Sequence, residues 1–400
     1  MNRAQPTAAP ALWFGALCVF LVAVNLRLPI TAVSPVLDQV QRDEGVGSGA
    51  ASLLVSIPVL CFALLPAAVV RFGRRFGLTS AVLVSLVVMV AGFGLRLVPD
   101  QVGLLAGTVV LGVAITAGNV LIPPLIKRDH SGSSGSLTGL YSLGLYFGAA
   151  LGAGLTVPLQ RGTGLDWRST ITLWVVVPLV ALAVWVFRAR ISSGGHRHRS
   201  PSGVTPGPAT AASPWRHRTA WAVTLVFAIP ALIFYAVSAW LPTMLVDETG
   251  RDPAAAGAVL AVVNIAAIPA ALVVGIAANR TRRQTWLTVF TGLLLAVGIV
   301  GFLVVPAAAL TWAVLLGVGL GGGTTLGYAL PLLRSSGTAA AARLTAMAQT
   351  AGFLLCAIGP VAVGLLHDLT HEWSAGMVVL ALLTAVYIVA GFDAGRDVSI

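Results

Sequence analysis

Apolar runs of about 20 residues recur twelve times along this chain of 400, each long enough to cross ~30 Å of hydrocarbon. Nothing else in the sequence constrains the fold as strongly. A helix that is apolar all round must be buried, in a large core or in a membrane. In hydrocarbon only helices and closed barrels satisfy the backbone. Barrel strands would read as short alternating segments, which these runs do not. Charged residues make up 9% of the chain, against about 25% in soluble domains. The expected fold is therefore an all-α membrane protein of twelve transmembrane helices. The runs cover 11–37, 49–70, 77–97, 102–126, 136–159, 170–188, 219–245, 254–278, 284–305, 309–333, 342–366 and 374–392.

Most connections between runs are short. The exception, 191–218, is rich in Ser, Pro, Gly and Arg and reads as a loosely held linker. It divides the chain into a first six-helix bundle (11–190) and a second (219–392). The halves also read as repeats offset by 208 positions: Arg74 falls on Arg282, Pro123 on Pro331, Arg27 on Tyr235 and Tyr141 on Gln349. Parallel six-span repeats are the pattern of a two-bundle transporter. Basic residues concentrate in alternate connections, which carry Arg71, Arg74, Arg75, Arg128, Arg280, Arg282 and Arg283 among others. The intervening connections are acidic (Asp43, Glu44, Asp247, Glu248, Asp252, Asp368, Glu372). The basic side is thus expected in the cytoplasm, with both termini and the linker, in the inner membrane of a bacterium. The first run is too long for a cleaved signal peptide and reads as a span. The basic clusters are expected to set orientation and to form an inner gate.

Arg27 lies in the middle of the first run, and it is the one charge the sequence places inside a span. An ionised guanidinium at bilayer depth costs roughly 2.5–17 kcal/mol, depending on the reference state. No carboxylate occupies a span to pair with it, so its natural guest is an anion. At helical spacing Arg27, Thr31, Ser34 and Asp38 share a stripe, and Pro29 and Pro35 permit bending beside it. The competing reading is an arginine held by neighbouring carbonyls. Asn119, Tyr141, Tyr235, Asn264, Trp240, Tyr328 and Gln349 are the other polar or amphipathic residues at depth, and they are expected to help line the site. Each has a bland alternative: an interhelical hydrogen bond for the amides, an interfacial belt position for Trp240, packing for the tyrosines.

Several functions are disfavoured. The basic residues punctuate apolar runs and do not cover a face, which argues against nucleic acid. The Gly-rich run 315–328 lacks the Gly-Lys-Ser/Thr ending of a phosphate loop, so it reads as close helix packing and not as a nucleotide site. His196 and His198 lie in the basic linker, and His130 lies in a connection. No zinc spacing or nucleophile elbow appears. Cys18, Cys61 and Cys356 read as small buried side chains. No enzyme, metal or cofactor is expected. The partners expected are a small anionic substrate and the bilayer, with the chain as a monomer. No spanning carboxylate or histidine points to proton coupling, which leaves uniport and exchange open.

Twelve spans in two halves, with RFGRRFGL after the second, resemble the major facilitator superfamily. Within it, NLRLPITAVSP (25–35), IPVLCFALLPAAVVRFGRRFGL (57–78), GNVLIPPLIKRD (118–129) and FYAVSAWLPTML (234–245) are similar to the cyanate permease and 2-nitroimidazole exporter family. Two departures stand out: Leu28 separates the arginine from Pro29, and the loop at Arg71–Gly77 has no Asp before its arginines. The resemblance implies two pseudo-symmetric bundles that rock about a central cavity lined by spans one, four, seven and ten. It also implies small-molecule transport at a site near Arg27. Cyanate is the expected type of substrate, with efflux of a nitroimidazole or similar aromatic as the alternative. A non-transporting receptor or scaffold would need a soluble module larger than 191–218, and a channel would need a filter element.

Overall fold

A computed structural model of the chain describes residues 9–129, 134–192 and 214–397. The described residues contain helices and no strand. The first run becomes α1 (Ala9–Thr31), a short 3-10 turn (Ser34–Val36) and α2 (Leu37–Glu44). Pro35 has no N–H to carry the ladder through, so the rod breaks there. The second run becomes α3 (Ser48–Ala51), α4 (Leu53–Leu64) and α5 (Pro66–Phe76), with a 63° bend between α4 and α5 where Pro66 cannot donate. Then come α6 (Leu78–Leu95), α7 (Gln101–Asp129), α8 (Ser134–Thr163), α9 (Trp167–Leu173) and α10 (Val176–Ser192). The second half holds α11 (Arg218–Thr249), α12 (Pro253–Arg280), α13 (Thr285–Val304), α14 (Ala309–Leu333), α15 (Thr338–Thr370) and α16 (Ser374–Ala394). Among the described residues, eleven segments are long and apolar enough to span, or twelve with the bent pair counted as one. Every expected run is found, with ends displaced by at most about two turns. Most of the linker, with His196 and His198, lies outside the described residues, as does His130.

Equivalent devices recur in the halves. Gly45 and Gly250 end α2 and α11 with φ of 64° and 63°, left-handed values that favour glycine. Just before each of them lies an Asp that accepts an indole N–H: Trp167 donates to Asp43 at 2.6 Å and Trp373 to Asp247 at 2.9 Å. In each half, then, the end of the first long helix is tied to the start of the last.

Close packing follows from small residues. A Cβ at Gly148 of α8 would lie 2.1 Å from Val24 O of α1. One at Gly321 of α14 would lie 2.2 Å from Ala267 O of α12. The Gly-rich run therefore sits inside a helix that presses on its neighbour. The three cysteines are free and buried.

One expectation needs correcting. Arg27 is not alone: Arg96, the penultimate residue of the run 77–97, is 1% exposed at the end of α6. Its guanidinium donates to Thr108 Oγ1 from Nη2 (3.0 Å) and to Pro29 O from Nη1 (3.2 Å). Arg334, just past the run 309–333, is 2% exposed and donates to Gln284 Oε1, Ala394 O and Gly395 O. Arg168 is paired with Glu44. The halves meet at the acidic end, where Ser34 Oγ donates to Ser238 O, Asp368 accepts from Ser48 and Gly49, and Arg161 pairs with Asp252.

Candidate functional site

Arg27 projects from α1 near the middle of the Trp13–Glu44 span and is half-buried. Its Nη1 is enclosed and has no hydrogen-bond partner. Its Cζ lies 4.1 Å from the ring centroid of Phe234 on α11 and 4.8 Å from that of Tyr146 on α8. Each such contact contributes about 0.5–2 kcal/mol. Neither provides the acceptor that a buried charged N–H requires. The guanidinium is thus held by rings from both halves, with donor capacity left over.

The rings continue. Phe234 meets Tyr235 (5.1 Å between centroids), Tyr235 meets Phe62 of α4 (6.4 Å), and Phe62 meets Phe353 of α15 (5.4 Å). Phe353 meets Phe227 (5.2 Å), and Phe227 meets Tyr328 of α14 (5.1 Å). Most of these pairs are edge-on, the arrangement that aromatic quadrupoles favour. Tyr141 donates to Asn119 Oδ1 at 2.8 Å, joining α8 to α7. Tyr328 is 47% exposed and Tyr235 is buried. Gln349 is half-buried on α15, four residues before Phe353.

Other expected lining residues are occupied elsewhere. Thr31 turns its hydroxyl back to Arg27 O (3.2 Å). Asn264 is buried and its Nδ2 donates to Leu260 O one turn earlier, while its Oδ1 has no partner among the described residues. Trp240 is 1% exposed, donates to Pro360 O and packs on Trp373 at the acidic end. Asp38 forms an exposed pair with Arg42. Arg71, Arg74, Arg75, Arg128, Arg280, Arg282 and Arg283 are exposed near helix ends; Arg128 is paired with Asp129.

Sequence reasoning missed Tyr146, Phe62, Phe227, Phe234 and Phe353. A phenylalanine in an apolar run carries no mark of its neighbours. Tyrosine does: the chain has five, of which Tyr146 meets Arg27, Tyr235 and Tyr328 belong to the same run of rings, Tyr141 bonds Asn119 and Tyr387 bonds Thr291. Rarity alone would have nominated Tyr146. No cluster of His, Cys, Asp and Glu able to hold a metal exists among the described residues.

Comparison with known proteins fits this architecture. The family model of the Major Facilitator Superfamily matches residues 13–360. The fold is similar to that of a bacterial homolog of the human lysosomal transporter Spinster, at TM-score 0.76 and 15% identity, over 96% of this chain and 98% of that one. The chain belongs to the Major Facilitator Superfamily and has its twelve-helix, two-bundle fold. Within the superfamily it falls with the cyanate and 2-nitroimidazole transporters. It is 34% identical to the 2-nitroimidazole transporter of Escherichia coli (strain K12), over 95% of this chain and 94% of that one. It is 28% identical to the cyanate transport protein CynX of the same strain, over 89% and 91%.

Proposed function

We propose that the chain moves a small anion or nitro compound across the membrane by alternating access, with Arg27 as its anchor. The observation that carries this reading is the enclosed Nη1 of Arg27, a charged donor without an acceptor in mid-span. A carboxylate, nitro or cyanate oxygen supplies that acceptor, and a charge-assisted bond is about twice as strong as a neutral one. Residues 11–190 and 219–392 act as two bundles joined by 191–218, and they rock about this point. The basic face lies in the cytoplasm together with both termini, with Arg71, Arg74, Arg75, Arg128, Arg280, Arg282 and Arg283 fixing orientation. Asn119, Tyr141, Tyr235, Tyr328 and Gln349 shape the pocket of a chain that works as a monomer.

Between cyanate and a nitroaromatic, the ring set favours the second. Phe234, Tyr146, Phe62, Tyr235 and Tyr328 offer flat apolar surface that a triatomic ion does not use. Efflux or uptake of a planar, ring-bearing solute is therefore our preferred reading. Flux into proteoliposomes against a panel of cyanate, nitrate, aromatic carboxylates and nitroimidazoles tests it. Saturable flux of the ring-bearing solutes is expected. Transport of none of them, by protein that is folded and reconstituted, rejects it.

A further inference from the structure

The bundles close on each other at the acidic end through two helix pairs in equivalent places: α8 with α12, and α15 with the start of the second span. At the first, Asp252 caps its own helix by accepting from Ala254 N at 2.8 Å. Arg161, in the last turn of α8, reaches across from the other half and grips that carboxylate with both terminal nitrogens, one bond measuring 3.1 Å. At the second, the residue 207 positions after Arg161 is Asp368, in the last turn of α15. Its carboxylate accepts from Ser48 N (2.9 Å) and Gly49 N (2.8 Å) across the halves. The cap residue there, Gly47, has φ −71° and ψ 169°, an extended conformation open to any residue. Glycine is therefore present for room: a Cβ would stand 2.9 Å from Asp368 Oδ2. His367 braces the same turn, stacked on Trp373 at 3.9 Å with Nδ1 3.3 Å from Ser48 Oγ.

The two contacts are charge-inverted copies. One has its capping carboxylate in its own half and a cation from the other. The second has no side-chain cap of its own and takes the carboxylate from the other half. We propose that Asp368 is a positioning residue of the transport cycle: it supplies in trans the cap that Gly47 leaves vacant, and so holds the acidic end shut as Arg161 and Asp252 do on the opposite flank. Opening that end strips two backbone N–H groups of their acceptor and releases the carboxylate to water. Gly47 and Asp368 thereby set how often the end opens. The inference rests on membership of a transporter family and not on the Arg27 site.

The test needs no substrate. Spin labels on cysteines introduced at Gly162 and Ala307, exposed positions in opposite halves, report the separation of the acidic ends in purified full-length protein in nanodiscs. The native protein is expected to give mainly the short distance. Gly47→Asp brings a second carboxylate to the same two donors, and Asp368→Arg removes the acceptor. Each is expected to raise the open-to-closed ratio about tenfold or more. The double variant rebuilds the Arg161–Asp252 arrangement on the other flank and is expected to close the end again. Asp368→Asn, which keeps the side chain's size, is expected to shift the ratio in the same direction by less. Thermal unfolding of each variant distinguishes opening from loss of fold. A double variant as open as the singles, or an Asp368→Asn distance distribution identical to the native one, overturns the proposal.

Discussion

Arg27 and Arg96 are the same side chain inside the same bundle, with opposite circumstances. Arg96 is the more deeply buried, at 1% exposed, and its donors reach Thr108 Oγ1 and Pro29 O. It braces α1 two residues beyond Arg27, where the helix is about to stop. Arg27 is less buried, yet its Nη1 has no acceptor and its neighbours are rings. Burial therefore does not separate a structural arginine from one proposed to take a ligand. The supply of acceptors does. A satisfied guanidinium stiffens the protein, and an unsatisfied one leaves a charged donor free, which is the basis of the anchor role proposed for Arg27.

The largest test of that contrast is Arg27→Ala. Substrate flux is expected to fall by about 100-fold or more, because on the proposed reading the transported solute loses a desolvated charged partner. The melting temperature should stay near the native value, since no protein acceptor is orphaned. A large drop in melting temperature with flux per folded molecule preserved would reverse the roles of the two arginines. Arg96→Met is the converse. It orphans Pro29 O and should cost about 1–3 kcal/mol of stability, read by thermal or denaturant unfolding. Flux per folded molecule should persist. Next comes Arg27→Lys, which keeps the charge but loses the planar fork. A loss of about tenfold in flux at low substrate concentration is expected. The smallest effect is that of Phe234→Leu, which removes one ring from Arg27. Half-saturation for nitroaromatics should rise about three- to tenfold, in line with one cation–π or stacking contact. Flux of small inorganic anions should hold. An equal loss for both solute classes would make the ring a packing element only.

The spans were legible because hydrocarbon demands long apolar runs, and each run that reads as a span forms helix. Of the breaks, only the one at Pro35 in the first span was anticipated from its proline; the bend at Pro66 in the second was not. Arg27 was legible because a charge amid NLRLPIT has no local alternative. Arg96 was not. It stands at the end of a run beside Val98, Pro99 and Asp100, where a loop arginine looks the same, and its partner Thr108 lies in the next helix. Phe234 escaped for a related reason. Its meaning comes from a guanidinium some two hundred residues earlier, and nothing in FAIPALIFYAV distinguishes it from Phe227. Asp368 looked like an ordinary helix-end acid until Ser48 and Gly49 were found against it. Residues whose role depends on the opposite half carry no periodicity to betray them.

The paired indole bonds, Trp167 to Asp43 and Trp373 to Asp247, have a consequence for engineering. Each fastens the last long segment of a half to the first, like a clasp on a bracelet, and neither crosses the middle of the chain. A gene split between the codons for Ser192 and Pro214 would leave both clasps intact. The two polypeptides, made separately in one cell, should find each other and restore a working carrier. Opening either clasp by Trp→Phe should hinder that reunion more than it harms the uncut protein.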